Sequence, residues 1–499
     1  MNTESDLVAY RPGDHRDPAV DVLFVALLGG DPALSPSRHV LTDVDVVEFG
    51  RGDRSVCRDC RDGLRRLVIH IPDPLLSRQH GQLTHAYGTW QLDVGQAKNA
   101  AAIDGVRTRA GRLSRGQLLA LGNTILFIAR EPASEALDLD ATALSAPQPE
   151  LATFHRDLAA SIDRMARLAG SAIPMLVLGE TGTGKEVAAR AIHALSGRLG
   201  SFVAVNCAAI APTLLEAELF GHRRAAFSGA TTERLGHLRT SDHGTLFLDE
   251  IAELALPAQA ALLRALQERE VVPVGATLPV PVDLRVVAAT HRDLEAMVNQ
   301  GRFREDLYAR LAGFTLHLPP LRARRTDLGL LIAALLRRQS SAARAKITWP
   351  AGTQLFRYTW PRNIRELERA LEIAVPLAGA GPITVDCLPE AVRGAPVPQV
   401  APTSQLDPEA AAGNQLALVD QSAAGPTNAP DAVALPAAAS VSARARDDMG
   451  DVQRADRDRV LRALHDCAWN QTRAAKQLGI SRTTLVTKLG LYRIPRPRN

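Results

Sequence analysis

Long apolar stretches are missing from the sequence. The longest, residues 22–28 and 328–336, fall far short of the roughly 20 residues that a membrane-spanning helix needs. The N-terminus also lacks the basic segment followed by an apolar segment that marks a secretory signal. We therefore expect a cytoplasmic protein that does not enter a membrane.

Cysteine is scarce, and charge of either sign is nearly balanced. Five cysteines cannot form a disulfide framework for 499 residues, and the lone Cys57–Cys60 pair lacks the further ligands of a four-ligand zinc site. The net charge is only +4, but residues 451–499 contain eleven Lys/Arg and four Asp, a surplus of seven. A basic terminal segment of this kind is typical of proteins that bind DNA.

Composition and patterning divide the chain into three domains, because 499 residues are too many for one hydrophobic core. Residues 20–131 alternate short β-type runs with turn signals, which favours an all-β sandwich. Residues 150–394 alternate strands with helices, the pattern of a parallel α/β sheet, and residues 451–499 are all-α. The linkers are predicted at 132–149 and, as a disordered Ala/Pro-rich segment, at 395–450.

A glycine-rich loop lies between an apolar strand and a helical pattern. Its glycines let backbone N–H groups curl around phosphates, and Lys185 can reach the terminal phosphates. Glu186 stands where Ser or Thr usually follows the lysine, so Mg²⁺ loses that hydroxyl ligand. The predicted ATP-binding loop consists of Gly179, Glu180, Thr181, Gly182, Thr183, Gly184, Lys185 and Glu186.

Two adjacent acids end a later apolar strand, residues 245–248. Asp249 is suited to hold the metal, directly or through water, and Glu250 to polarise the attacking water. A glycine loop alone could be a tight turn, and two acids alone could be a solvated turn. Together, in a parallel-sheet pattern, they favour ATP hydrolysis.

Residues 150–394 resemble the AAA+ domain of bacterial sigma-54-dependent transcription activators. The resemblance implies an α/β ATPase subdomain over 150–320 and a helical lid over 321–394. Seven ordered motifs carry it: GETGTGKE (179–186), FVAVNCAAI (202–210), ELFGH (218–222), GTLFLDEIAEL (244–254), FREDLYARL (303–311), LPPLRARRTDL (318–328) and YTWPRNIRELE (358–368).

The same resemblance implies roles for further residues. Asn206 would hold Glu250 until nucleotide is sensed. Arg304 and Arg310 would reach into the ATP site of a neighbouring subunit, which requires a homo-oligomeric ring, a hexamer in this family. Arg365 would sense phosphate from within the same subunit. Any one of these arginines alone could instead form a helix-surface ion pair.

The chain departs from the family pattern at two places. The remodelling loop GAFTGA is replaced by AAFSGA at residues 225–230, which keeps Phe227, Ser228 and Gly229 as the sigma-54 contact but loses the first glycine. Only glycine is free at positive φ, so Ala225 restricts the loop backbone. The polar sensor at the end of the strand RVVAAT is His291 rather than the usual Asn; histidine can still hydrogen-bond at the nucleotide site.

Residues 451–499 resemble the Fis-type helix-turn-helix that ends many such activators. Small alanines allow close helix crossing, Gly479 makes the turn and Ser481 caps the second helix. A helical hairpin with a solvated basic face is the alternative. The residues predicted to contact promoter-upstream DNA are Arg473, Ser481, Arg482, Thr483, Thr484 and Lys488.

Residues 20–131 resemble a forkhead-associated (FHA) domain, a module that binds phosphothreonine peptides. The match rests on Gly-Arg after an apolar strand, on SRQH at 77–80 and on the segment 93–105. The resemblance assigns the phosphate to Arg51 and Ser77, support to Arg78 and the peptide backbone to Asn99. We expect His80 to be buried and structural. A β-sandwich used only for packing is the alternative.

The combined prediction is a sigma-54-dependent transcriptional regulator. It would bind DNA and use ATP hydrolysis to remodel sigma-54 RNA polymerase for promoter opening. A phosphothreonine protein, such as a Ser/Thr kinase substrate, would control it at its FHA domain. Two alternatives stay open. One is a DNA-bound AAA+ regulator that no longer engages sigma-54 because of its altered loop. The other is a kinase-linked scaffold with slack ATPase activity.

Overall fold

The computed structural model describes residues 19–394, apart from residues 35, 134–137, 145, 227–231 and 340–344, together with Gln477. Several predicted sites therefore lie outside the described residues. They are the loop residues Phe227, Ser228 and Gly229, the 395–450 segment, and the DNA-contacting residues Arg473, Ser481, Arg482, Thr483, Thr484 and Lys488.

The first region is an all-β sandwich, as its alternating runs predict. Its strands are β1 (Ala19–Leu28), β2 (Ser37–Val40), β3 (Val46–Arg51), β4 (Ser55–Arg61), β5 (Leu64–Ile71), β6 (Gly81–Ala86), β7 (Thr89–Asp93), β8 (Ala101–Ile103), β9 (Val106–Thr108), β10 (Ala110–Leu113), β11 (Leu119–Leu121), β12 (Thr124–Pro132) and β13 (Leu139–Asp140). One sheet has the order β13-β2-β1-β12-β11-β8-β9 and the other β10-β7-β6-β3-β5-β4. All pairings are antiparallel except that of β3 with β5.

The second region is a five-stranded parallel sheet of order β15-β16-β19-β14-β20. Its strands are β14 (Met175–Leu178), β15 (Phe202–Asn206), β16 (Thr245–Asp249), β19 (Arg285–Thr290) and β20 (Phe314–His317), and β17 (Glu270–Val271) pairs with β18 (Val280–Pro281) beside it. The helices are α1 (Arg156–Leu168), α2 (Lys185–Leu195), α3 (Pro212–Phe220), α4 (Gly236–Thr240), α5 (Leu256–Glu268), α6 (Leu294–Asn299) and α7 (Glu305–Leu311).

A helical lid follows the parallel sheet. It contains α8 (Leu328–Arg338), α9 (Trp349–Arg357), α10 (Asn363–Ala378) and α11 (Glu390–Arg393). Every residue of α8 from Leu328 to Leu336 is buried, so this helix has no polar face over its first nine residues. A helix that is apolar all round must be covered on all sides.

The sandwich and the lid share one hydrophobic core. Strand β1 points alternate residues to opposite faces: Leu23 and Val25 pack between the two sheets, whereas Val22 and Phe24 pack against the lid. The lid contributes Leu331 of α8, along with other side chains of α8, α9 and α10, to the same cluster. Because both faces of β1 are buried, its sequence is a continuous apolar run rather than an alternating one.

The predicted linker 132–149 is in part ordered structure. Its residues Leu139 and Asp140 form β13, which pairs with β2 at the edge of the sandwich. The carboxylate of Asp138, next to β13, accepts hydrogen bonds from Arg58 of β4 and from the backbone N–H of Val40. Such a polar edge strand lacks the apolar period by which strands are recognised in a sequence.

Among the helices described, none has both the length and the apolar character that crossing a membrane demands.

The tightest approach between sandwich and lid is at Gly329. A Cβ atom at this position of α8 would overlap the carbonyl oxygen of Ala26 in β1. We therefore expect Gly329→Ala to force the two elements apart and to lower the free energy of unfolding by about 1–3 kcal/mol, the usual cost of overpacking. Urea unfolding measures this change. Gly30→Ala is the control, because a Cβ there meets nothing within 4 Å; equal losses in both variants would contradict the tight contact.

Candidate active site of the ATPase

The phosphate loop follows β14 and ends at the first residue of α2. Gly182 and Gly184 have φ of 81° and 102°, conformations that only glycine adopts without strain. Gly184 is the N-cap of α2, so the positive end of the helix dipole faces the loop. The order of strand, glycine loop and helix is therefore as predicted.

Lys185 is buried at the base of this loop. Its Nζ donates to the carbonyl oxygens of Gly179 at 3.0 Å and Glu180 at 3.4 Å. It also lies 3.7 Å from Oε1 of Glu250. The loop thus places the amino group of Lys185 beside the residue predicted to activate water.

The two predicted acids meet at the end of β16. Burial raises the pKa of Asp249, although the nearby Lys185 opposes that rise. Glu250 has φ of 52°, a left-handed conformation that turns the chain sharply after the strand. Its side chain is 13% exposed and lies among polar groups of the neighbouring strand β19. Backbone strain of this kind is often found at functional sites, which is consistent with the predicted role of Glu250.

His291 is the principal partner of Glu250. Its Nδ1 lies 2.8 Å from Oε2 of Glu250, and the hydroxyl of Thr290 donates to the same oxygen at 3.4 Å. Asn206 ends β15 in register with Asp249, but its side-chain oxygen accepts a hydrogen bond from the N–H of Ala208. Among the described residues no hydrogen bond joins Asn206 to Glu250, so the switch role of Asn206 stays a prediction.

The donor set at this site fits Mg²⁺. A carboxylate beside phosphate oxygens is what this hard cation prefers, and Asp249 is partly desolvated with one backbone N–H donating to it. The hydroxyl of Thr183 donates to the carbonyl of Glu180. Glu186 is paired with Arg190 at 2.7 Å on the surface of α2, so its carboxylate is directed to a helix neighbour. Asp249 is therefore the residue that would hold the cation.

The lid contacts the phosphate loop directly. Arg322 forms a two-bond ion pair with Glu180, with contacts of 2.5 and 2.8 Å, and holds the pKa of that carboxyl down at about 2. Asn363, at the start of α10, donates to Glu180 and to the carbonyl of Thr181, both at 3.1 Å. The N–H of Ile364 donates to the carbonyl of Gly182. These contacts fix the lid on the loop that holds the phosphates.

The short segment 321–327 joins this loop to the sandwich. Arg324 is buried and donates to the carbonyl of Thr183 in the phosphate loop. Arg325 donates to the carbonyl of Gly116 in the sandwich and lies over the ring of Phe127 at 5.4 Å. Sequence reasoning missed both contacts, although the motif LPPLRARRTDL contains the residues.

The three arginines that are predicted to contact nucleotide lie on the surface. Arg304 pairs with Asp306 at 2.7 Å, and Arg310 donates to the carbonyl of Leu266. Arg365 is exposed on α10, one residue after the contact with Gly182. In the part of the chain that the structure describes, none of the three is bonded to Lys185, Asp249 or Glu250. Their roles toward nucleotide stay predictions.

Three loops of the sandwich converge at one end. The N–H of Arg51 donates to the carbonyl of Ser77 at 2.8 Å, and the hydroxyl of Ser77 accepts from the N–H of Lys98. The amide of Asn99 donates to the carbonyl of Leu75 at 2.7 Å. Arg51 is exposed and Ser77 is half-buried. The structure therefore brings together the segments that the FHA resemblance selects.

A cleft of about 640 Å³ opens beside these loops. It is lined by Ser77 and Arg78 and by Arg61, Arg66 and His70 from the outer face of the sheet. His80 is 1% exposed, and burial lowers its pKa. Its Nδ1 accepts a hydrogen bond from the N–H of Ser77, so the histidine supports the loop from inside. The expectation of a buried, structural His80 is confirmed.

Family models match three consecutive parts of the chain. They are the sigma-54 interaction domain at residues 151–317, the AAA+ ATPase lid domain at 322–405 and the Fis family of bacterial regulatory proteins at 452–492. The transcriptional regulatory protein ZraR of Escherichia coli K12 is 38% identical over 360 residues, which cover 71% of this chain and 72% of ZraR. The chain belongs to the sigma-54-dependent transcriptional regulators.

Other known proteins are similar to parts of this chain. The acetoin catabolism regulatory protein of Cupriavidus necator is 43% identical over 340 residues. The aligned part covers 67% of this chain and 46% of that protein. The sigma54-dependent activator SfnR of Pseudomonas putida is 45% identical over 48% of this chain and 68% of its own length. A solved structure of NtrX from Brucella abortus with ATP aligns over 69% of each chain at 27% identity and a TM-score of 0.44. The family carries an AAA+ ATPase, and this regulator therefore has an ATPase domain.

The ion pair between Arg322 and Glu180 leads to a prediction. Without Arg322 the carboxylate of Glu180 stays ionised beside the phosphates, so we expect Arg322→Ala to raise the KM for ATP by roughly tenfold, the effect of about 1.4 kcal/mol. Steady-state phosphate release measures this. Adding Glu180→Gln should restore most of the lost affinity, whereas Arg369→Ala, an exposed change on α10, should have no effect. An unchanged KM in Arg322→Ala would refute the charge argument.

Proposed function

We propose that this regulator uses ATP hydrolysis to remodel sigma-54 RNA polymerase at promoters whose upstream DNA it binds. The observation that carries the proposal is the meeting of Lys185, Asp249 and Glu250 at one edge of the parallel sheet, under the lid. A lysine side chain, a partly desolvated acid and a second acid beside them are the parts that phosphoryl transfer to water requires.

Each residue has a separate role in the proposed reaction. Lys185 and the backbone N–H groups of the phosphate loop would stabilise the charge on the terminal phosphates. Glu250, held by His291, would orient the attacking water and accept its proton. Asp249 would hold Mg²⁺, which supplies neutralisation of phosphate charge when it is bound. Arg365 would contact phosphate from the lid.

Assembly into a ring completes the proposed site. Arg304 is exposed at the N-terminus of α7 and Arg310 is exposed in its last turn, so both could contact a neighbouring subunit. A guanidinium supplied from a neighbour stabilises the charge that develops in the transition state. Surface exposure supports this assignment, because both side chains are accessible to another chain.

The backbone of the remodelling loop favours the alternative function. Ala225, which stands in place of the family's first glycine, has φ of 63°. A residue with a Cβ is strained there by roughly 1 kcal/mol relative to glycine. This strain favours the second candidate function, a DNA-bound AAA+ regulator that hydrolyses ATP without engaging sigma-54 through Phe227, Ser228 and Gly229.

The sandwich is proposed to bind a phosphothreonine protein. Arg51 supplies a guanidinium and Ser77 a hydroxyl, a combination suited to a dianionic phosphate. Asn99 would hold the peptide backbone, and Arg78 would add positive charge. The convergence of the three loops supports the proposal, which makes the substrate of a Ser/Thr kinase the signal for this regulator.

Catalysis by Glu250 predicts the effect of its isosteric amide. Glu250→Gln cannot accept a proton, so hydrolysis should slow by at least about 100-fold. ATP affinity should stay within a few-fold, because Lys185 and Asp249 are kept. Phosphate release and binding of a fluorescent ATP analogue measure the two effects. The control is Glu253→Gln, three residues further on and paired with Arg292; Glu250→Gln with the wild-type rate would remove Glu250 from catalysis.

Transcription separates the two candidate functions. Purified sigma-54 RNA polymerase on a supercoiled promoter should form open complexes with the wild-type chain and ATP, and none with Glu250→Gln. Ala225→Gly relieves the loop strain, so it should give at least as many open complexes. ATP hydrolysis without open complexes in either the wild type or Ala225→Gly would establish the alternative.

Phosphothreonine recognition is tested with Arg51→Ala. Removing the guanidinium should weaken binding of phosphothreonine peptides by 10-fold or more, since charge-assisted bonds to phosphate contribute roughly twice as much as neutral ones. Calorimetric titration of the full chain with phosphorylated and unphosphorylated peptide libraries measures this. Arg112→Ala, an exposed change on β10, is the control. Equal affinity for both libraries would leave the sandwich with packing as its function.

A further inference from the structure

A small cavity lies between the converging loops and the lid. It measures about 250 Å³ and is lined by Leu75, Asn99, Ala101, Ala102, Arg107 and Trp349. Five of these residues belong to the sandwich, but Trp349 is the first residue of α9 in the lid. The wall of a cavity beside the predicted peptide-binding Asn99 is therefore supplied by the ATPase.

A continuous set of hydrogen bonds connects Asn99 with Trp349. The amide of Asn99 donates to the carbonyl of Leu75, and the N–H of Leu75 donates to the carboxylate of Asp73. The other oxygen of Asp73 accepts from the N–H of Asn123 at 2.6 Å. The side-chain oxygen of Asn123 accepts from the N–H of Trp349 at 3.0 Å. Asp73, in the middle of this connection, is 1% exposed, so its carboxylate is shielded from water.

The chemistry of the cavity selects one kind of occupant. Ala101 and Ala102 are buried at its base, and the half-buried indole of Trp349 forms a side wall. The guanidinium of Arg107 lies 6.0 Å from the centre of the indole ring, at the exposed rim. The volume is below that of ordinary small-molecule sites, but it accommodates a single aliphatic side chain.

We propose that this cavity is a specificity pocket for the phosphothreonine partner, built jointly by the sandwich and the ATPase lid. It receives an aliphatic side chain that flanks the phosphothreonine, and Trp349 is its specificity-determining residue. The inference rests on the proposed phosphothreonine binding and extends it. A peptide seated there touches α9 itself, so the lid receives the signal without an intermediate domain movement.

The position of α9 explains why such a contact would affect ATP. Helix α9 packs on β11 and β12 of the sandwich and on the rest of the lid, within the shared core. The following residues lead into α10, whose Asn363 and Ile364 bond the phosphate loop. A peptide that shifts or stiffens α9 therefore acts on the elements that hold nucleotide.

A cross-linking experiment on the wild-type full chain tests the pocket. Phosphothreonine peptide libraries, each varied at one flanking position, identify the position that prefers Leu, Ile or Met over Ala. A diazirine analogue of leucine at that position should cross-link on irradiation to the tryptic peptide ITWPAGTQLFR, residues 347–357. Cross-links confined to sandwich peptides, or no preference at any position, would overturn the proposal.

Variants give the second measurement. In the wild type we expect peptides with Leu, Ile or Met at the selected position to bind about tenfold more tightly than those with Ala, because one side chain is buried. Trp349→Ala should remove this preference and leave phosphate-dependent binding in place. Trp349→Phe should keep part of the preference, and Tyr87→Ala, a fully exposed aromatic at a hairpin tip, should keep all of it. A full preference in Trp349→Ala would overturn the proposal.

Coupling to the ATPase is measured in the same samples. Saturating peptide should change the KM for ATP at least twofold in the wild type and in Tyr87→Ala. The change should be lost in Asn123→Ala, which breaks the bond to Trp349; a retained change would overturn this connection. If wild-type binding does not depend on phosphorylation, the proposed function of the sandwich itself fails. If binding is phosphorylation-dependent and needs Arg51, but is indifferent to Trp349, only the lid pocket fails.

Discussion

The burial of α8 on all sides is the constraint on which the arrangement of sandwich, lid and phosphate loop depends. The helix has no polar face between Leu328 and Leu336, so α10 alone cannot cover it. The outer face of the sheet containing β1 and β12 supplies the remaining cover, down to contact between Gly329 and the backbone of Ala26. The sandwich is consequently part of the lid's core rather than a separately tethered domain.

This shared core gives the segment 321–327 its importance. The segment runs from the sandwich contact of Arg325 to the phosphate-loop contacts of Arg322 and Arg324 within four residues. Asp327 ends this segment. Its buried carboxylate accepts hydrogen bonds from the hydroxyl of Thr153 and the N–H of Phe154, and burial raises the pKa of Asp327. A displacement of the sandwich relative to the lid would therefore shift the phosphate loop through a single short segment.

Local patterns predicted most of the fold, but they could not reveal contacts between distant residues. Alternation and turn signals predict the sandwich, and the glycine loop identifies the phosphate site. No apolar alternation marks strand β4, because all seven of its residues are exposed. The apolar run of α8 is too short for a membrane span, and its missing polar face indicates that a second surface covers the helix. Arg322 contacts Glu180 across 142 residues of sequence, a separation at which no period or motif spacing indicates contact.

The shared lid also imposes a thermodynamic condition on any signal that reaches the sandwich. If peptide binding changes the affinity for ATP by some factor, ATP must change the affinity for peptide by the same factor. Typical coupling of 1–3 kcal/mol corresponds to roughly 5- to 150-fold. The clamp formed by Arg322, Glu180 and Asn363 is the element through which that energy would pass, because it is where the lid bonds the phosphate loop. The nucleotide state of the ATPase would thus determine how strongly the regulator retains its phosphorylated partner, and the partner would act on hydrolysis only to the extent that its affinity differs between nucleotide states.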